Sequence, residues 1–136
     1  MSNSLKILVI NSDKSKLIKV QGFVNEIFSQ FSIPRKYFNK VFLCVSEAVV
    51  NSIEHGNKNE FSKEVAIHVD CNTQSLDVKV SDEGEGFNYD DIQDPTCVEN
   101  IMKESGRGLH IIKSLSETIS YIKRDKCIRF KINLSE

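Results

Sequence analysis

The chain has 136 residues, 40% of them apolar and 27% charged, with a formal net charge of −1. That composition describes one globular domain over 1–136 with a real core; it excludes a disordered segment and, as the main function, a basic nucleic-acid surface. No apolar run is long enough to span a bilayer and no signal peptide is present, so a cytoplasmic protein without a membrane role is expected.

In chain order, Leu5 to Ile10 is a short apolar run and reads as a strand. Asn11, Ser12 and Asp13 offer a turn and an N-cap. A helix follows to about Phe31, with Leu17, Val20, Val24, Ile27, Phe28 and Phe31 on one face. Ser32-Ile33-Pro34 breaks the chain and restarts it, since proline is favoured in a first helical turn. A second helix then runs to His55, and Gly56 reads as its C-terminal cap. In its central stretch Val41, Phe42, Val45, Ala48, Val49, Val50 and Ile53 cover well over half the circumference, which predicts burial. Asn57 to Lys63 is a polar connection.

Two strands come next. Val65, Ile67, Val69 and Cys71 alternate with polar neighbours or Ala66, and Leu76, Val78 and Val80 alternate with Asp77, Lys79 and Ser81, the period of a sheet with one buried face. Asn72 to Ser75 is a hairpin turn. His68 falls on the outward face and is assigned no chemistry. Asp82 to Asp94 is irregular, Thr96-x-x-Glu99 has the form of a capping box opening a short helix, and Ser105-Gly106-Arg107-Gly108 interrupts it before a further helix with Leu109, Ile111, Ile112 and Leu115 as its apolar face. Thr118 to Lys123 and Cys127 to Leu134 close the chain as strands. The order β-α-α-β-β-α-α-β-β predicts an α+β two-layer sandwich, a mostly antiparallel mixed sheet covered on one face by helices. The cations Lys123, Arg124, Lys126, Arg129 and Lys131 alternate with apolar residues and read as a solvated strand face. Cys44, Cys71, Cys97 and Cys127 form no Cys-x-x-Cys pair, so neither a zinc site nor a redox motif is indicated, and they read as reduced core thiols.

Three features of this chain bear chemistry. On the second helix Glu47, Asn51 and His55 follow one another at i, i+4, i+8, flanked by Glu54, so they stack on one face. Such groups on a largely buried helix face either water or a ligand. Asp82 continues the buried register of Leu76, Val78 and Val80, and a carboxylate there needs a donor, such as the amino group of adenine or its own backbone. Gly84 and Gly86 follow it and let the backbone turn sharply and a flat ligand come close, as they would in an ordinary turn. Gly106-x-Gly108 precedes a helix, where exposed N–H groups and the helix dipole favour an anion and Arg107 adds a charge-assisted contact; a plain helix start has the same appearance. Taken together the features supply a general base in Glu47, an amide oxygen suited to Mg²⁺ in Asn51, a base-recognition carboxylate in Asp82 and a phosphate cradle.

The stripe Glu47…Asn51 with His55-Gly56-Asn57, then Asp82-Glu83-Gly84-Glu85-Gly86-Phe87, then Glu104-Ser105-Gly106-Arg107-Gly108-Leu109, resembles the Bergerat-fold (GHKL-type) ATP-binding domain, and within it the bacterial anti-sigma-factor serine/threonine kinases. The resemblance covers nearly the whole chain. It implies ATP and Mg²⁺ as cofactors, with Asp82 on the adenine amino group, Gly84 and Gly86 shaping the pocket, and Asn51 holding Mg²⁺ with His55 beside it. Gly106, Arg107, Gly108 and Leu109 would lie on the phosphates as part of a lid over about Asp90 to Ser105, and Glu47 would be the general base. It further implies an anti-sigma factor that binds a sigma factor, phosphorylates a STAS-type antagonist on serine or threonine, and works as a homodimer. One stretch departs: relatives commonly carry a Gly-rich turn and a Thr near adenine where this chain reads Arg124-Asp125-Lys126-Cys127, which bears on one adenine contact and leaves the rest of the pocket. A module that binds ATP without turning it over is the alternative. A two-component histidine kinase would need a dimerising helical pair, for which 136 residues leave no room.

Overall fold

A computed structural model describes residues 4–83, 107–122 and 126–134, with side chains excepted at 107–109. The expected capping-box helix at Thr96, Cys97 and the lid fall outside the described residues. Strand β1 spans Leu5–Asn11, and a 3-10 turn at Lys14–Lys16 leads into helix α1, Leu17–Gln30. A second 3-10 turn, Arg35–Tyr37, precedes helix α2, Phe38–Asn51. After it come β2 (Glu64–Cys71), β3 (Ser75–Asp82), helix α3 (Arg107–Leu115), β4 (Thr118–Ile122) and β5 (Cys127–Asn133).

The strands form a five-stranded sheet in the order β1-β2-β3-β5-β4. Its pairings are all antiparallel among the described residues, so the expected sheet is more regular than a mixed one. Alternation sets its two faces. Val65, Ile67, Val69, Leu76, Val78, Val80, Ile128, Phe130 and Ile132 are buried against the helices, while Asp77, Lys79 and Arg129 project from the other side. Arg129 forks onto Asp77, Nε to Oδ1 at 3.0 Å and Nη2 to Oδ2 at 2.6 Å, and this pairing holds the guanidinium more firmly protonated. The alternating cations at Arg129 and Lys131 are therefore an exposed strand face, as their spacing predicts.

α1 and α2 lie on the covered face because each has an apolar stripe at i, i+3, i+4 spacing: Val20, Phe23, Val24, Ile27 and Phe28 on α1, and Val41, Cys44, Val45, Ala48 and Val49 on α2. Phe28 meets Phe38 edge to face, with ring centroids 5.3 Å apart, and the Arg35 guanidinium lies 4.5 Å from the Phe38 centroid while donating to Asn25 Oδ1 at 2.9 Å. The restart after Pro34 is thus fastened to α1 by aromatic and cation–π contacts. α3 packs along α2 and buries Ile112. Cys44, Cys71 and Cys127 are buried and in no disulfide among the described residues; burial pushes Cys44 up to about 11 and raises Cys71, with the Asp70 charge adding to it. No helix among the described residues is long and apolar enough to cross a membrane.

Candidate functional site

The second helix does not run regularly to His55. Its α-helical hydrogen bonding ends at Asn51, and Ser52–Gly56 continue as a π turn. Single π turns inside or at the end of α-helices recur at functional sites, because the wider winding re-aims the side chains that follow. The turn is closed by the Asn57 N–H donating to Ser52 O at 2.8 Å and the Asn59 N–H donating to Ile53 O at 2.8 Å.

Gly56 does not serve as a left-handed cap. The residues with positive φ after the helix are Lys58 (54°) and Asn59 (62°). Gly56 is required for another reason. A Cβ at this position would lie 3.0 Å from Asp82 Cβ and inside contact distance of the Asp82 carboxylate. The end of the helix and the end of β3 therefore meet backbone against carboxylate, and any side chain at 56 would displace Asp82. This is the contact that brings two of the sequence-derived features, the helix stripe and Asp82, into one place.

Within the stripe, Asn51 is 5% exposed and its Nδ2 is buried with no hydrogen-bond partner among the described residues. A buried amide left so costs about 1–3 kcal/mol, and such a group calls for an explanation, a ligand among them. Glu47 lies one turn earlier on α2 and is half-buried, as is His55 on the π turn. Glu54, which flanks the stripe, is paired with Lys14. Asp82 is half-buried at the end of β3, on the same side of the strand as Val78 and Val80, and its N–H donates to Lys126 O at 3.3 Å. Lys126 itself adopts φ 51°, the left-handed conformation that a glycine would take without strain. A lysine thus takes a left-handed position within the stretch where the resemblance implies a Gly-rich turn. Arg107, Gly108 and Leu109 open the described part of α3. Gly84, Gly86 and Gly106 lie outside the described residues.

Two buried polar residues beside these groups are not singled out for chemistry by the sequence. Asn57, read as the start of a polar connection, is fully buried. Its Nδ2 donates to Ser12 Oγ at 2.7 Å and to Glu64 O at 3.0 Å, and its Oδ1 accepts from the Glu83 N–H at 2.9 Å. Ser12, read as a turn residue, is buried as well and donates through Oγ to Lys63 O at 2.7 Å. Asp13 performs the capping expected nearby, with its carboxylate accepting from the Ser15 N–H at 3.0 Å, which holds its carboxyl below the usual range. An asparagine in a polar stretch has no periodicity to betray burial; only its place in the His55-Gly56-Asn57 motif marked it.

Residues 10–132 match the family model described as histidine kinase-like ATPase domain. Among individual proteins, the chain is similar to the serine-protein kinase RsbW of Bacillus subtilis (strain 168), 30% identical over 83 residues, which cover 57% of this chain and 52% of that protein. It is similar also to RsbW of Bacillus velezensis, 28% identical over 83 residues, with the same coverage of 57% and 52%. The anti-sigma F factor of Oceanobacillus iheyensis is 32% identical over 80 residues, 57% of this chain and 55% of that protein. The chain spans about half the length of the curated relatives it matches. With the family model matching residues 10–132, most of the chain, the protein belongs to the histidine kinase-like ATPase domain family.

Proposed function

We propose that this chain is an ATP-dependent protein serine/threonine kinase of the cytoplasm that acts as an anti-sigma factor in a partner-switching system, binding a sigma factor and phosphorylating a STAS-type antagonist. The observation that carries the reading is the end of α2: a buried amide with an orphaned donor at Asn51, a carboxylate one turn before it at Glu47, and Asp82 seated against Gly56. The ATPase family and the names of the relatives, serine-protein kinase and anti-sigma F factor, support it.

In this reading Asp82 accepts a hydrogen bond from the adenine amino group, Gly84 and Gly86 shape the pocket around the ring, and His55 borders it. Gly106, Arg107, Gly108 and Leu109 hold the phosphates at the start of α3, where free N–H groups favour anions. Mg²⁺ suits Asn51. An amide exchanges its nitrogen and oxygen by rotating its terminal torsion, so the partnerless end can present oxygen, a hard donor. Among the described residues no group of three or more His, Cys, Asp or Glu could hold a metal alone, and an ion with one protein oxygen, waters and phosphates needs no such cage. When bound, the ion would neutralise charge on the phosphates. Glu47 takes the proton of the acceptor hydroxyl as its oxygen bonds to the γ-phosphorus and the bond to the ADP oxygen breaks.

The acceptor is held by protein docking, since the chain carries no peptide-recognition motif. A homodimer is part of the proposal: Leu5, Ile7 and Val9 are exposed at 40%, 53% and 49% on the outer strand of the sheet. Antiparallel pairing of two copies about Ile7 sets Leu5 of one opposite Val9 of the other, matching apolar to apolar. A single-chain mass in sedimentation equilibrium would remove that part.

The test of the kinase is transfer. Tagged wild type and Glu47→Gln, incubated with γ-labelled Mg-ATP in lysate of the source cell, are recovered with their bound proteins. Wild type is expected to label a co-purifying protein on serine or threonine. Glu47→Gln is expected to bind ATP within about twofold of wild type and to transfer roughly 100-fold or more slowly. Full transfer by Glu47→Gln removes Glu47 as the base. A partner that depends on nucleotide but is never labelled means that ATP is only a switch ligand.

A further inference from the structure

The β3 ladder ends at Asp82, which pairs with Val65 of β2. The next peptide, the N–H of Glu83, is bonded to the Asn57 side chain at 2.9 Å. Asn57 is anchored at its other end to two further elements: Ser12 after β1 and the Glu64 carbonyl at the start of β2. Ser12 is itself fixed by its N–H and Oγ, both on Lys63 O at 3.0 and 2.7 Å, and the Glu64 N–H returns to Glu83 Oε1 at 3.2 Å. The Asn57 backbone closes the π turn that carries Gly56. One buried amide thus joins the end of the helix that presses on the Asp82 carboxylate to the peptide that follows Asp82.

We infer that Asn57 is a positioning residue for base recognition: by fixing the Asp82–Glu83 peptide it holds the Asp82 carboxylate where it distinguishes an exocyclic amine from a carbonyl on a purine. The inference rests on the reading of Asp82 as the adenine contact. A strand end frays unless something beyond the ladder takes its backbone groups, and a single carboxylate that discriminates by hydrogen bonding must be held to within a fraction of an ångström. Asn57 supplies that without touching the nucleotide.

The experiment compares Mg-ATP with Mg-ITP, whose base carries a carbonyl in place of the amine, by calorimetry on the full chain. Wild type is expected to prefer ATP on the order of 100-fold or more, because a site built to accept a hydrogen bond rejects a ligand that lacks the donor. Asn57→Ala is expected to lose about tenfold or more of that preference, chiefly through weaker ATP binding with ITP binding little changed. A purely structural role would weaken both nucleotides alike and leave the ratio at its wild-type value, and that result overturns the inference. If Asn57→Ala does not fold, Ser12→Ala decides: it loosens one anchor of the amide and keeps the bond to Glu83, and an expected threefold or so loss of preference supports the inference while an unchanged ratio overturns it. If wild type itself binds ATP and ITP equally, or Asp82→Asn retains the full preference, the reading of Asp82 fails and the inference falls with it. Discrimination in wild type that Asp82→Asn loses and Asn57→Ala keeps defeats the inference alone.

Discussion

Asn51 and Asn57 stand six residues apart on either side of the π turn, and both are buried. One is bonded through its side chain to Ser12, Glu64 and Glu83; the other has an amide nitrogen with no partner among the described residues. The contrast teaches what burial of the same group is for. A satisfied amide rigidifies the structure around it, whereas an orphaned one costs stability and persists where a ligand completes it. The two therefore respond oppositely to truncation. Asn51→Ala is expected to lower Mg²⁺-dependent ATP affinity about 100-fold or more, while the unliganded protein melts at or slightly above the wild-type temperature because an unsatisfied group has gone. Asn57→Ala removes the side-chain bonds to Ser12, Glu64 and Glu83 and is expected to cost about 2–4 kcal/mol. Thermal melts of both variants, with and without Mg-ATP, read the two effects separately. A large loss of unliganded stability in Asn51→Ala would mean that its amide is structural after all.

Gly56 lies between them and tests whether their regions are mechanically joined. Its missing Cβ is the space that the Asp82 carboxylate occupies. Gly56→Ala forces one of them to move, and overpacking of this kind costs about 1–3 kcal/mol. The expected signature is a modest drop in melting temperature together with a loss of ATP affinity larger than that drop explains, since the displaced group is the one proposed to read the base. ATP binding at the wild-type level in Gly56→Ala would dissociate Asp82 from the nucleotide.

Much of the architecture was legible in the residues because it rests on repetition. Val65, Ile67 and Val69 alternate, Val41, Val45, Ala48 and Val49 recur at helical spacing, and each pattern has one physical solution. Asp82 was legible for a related reason, as a carboxylate continuing an apolar register. The π turn was not, because Ser52 to Gly56 continue a helical pattern in composition and the wider winding is imposed by what packs on the turn, β3 among it. The role of Gly56 was misread for the same cause: a glycine after a helix reads as a cap, and only tertiary structure reveals a carboxylate on its Cα. Ser12 and Asn57 could not be found by pattern, since a buried polar residue in a polar segment looks like its exposed neighbours. For Asn57 the motif resemblance carried information that periodicity does not.

The strand end is held on its other side by Lys126, whose carbonyl accepts the Asp82 N–H at 3.3 Å. That grip is long and comes from a residue at φ 51°, a conformation that costs a non-glycine residue roughly 1–2 kcal/mol. Lys126→Gly relieves the strain and adds freedom to the unfolded chain, so the two effects oppose and a net stabilisation of at most about 1 kcal/mol is expected. Its preference for ATP over ITP should equal that of wild type, because the carbonyl remains and the Asn57 anchor is untouched. Equal preference with a small rise in melting temperature would locate control of Asp82 at the helix side of the strand. A loss of preference as large as that of Asn57→Ala would instead mean that the lysine's strained backbone holds the carboxylate in place, and that the departure of this turn from glycine is part of how the pocket selects its base.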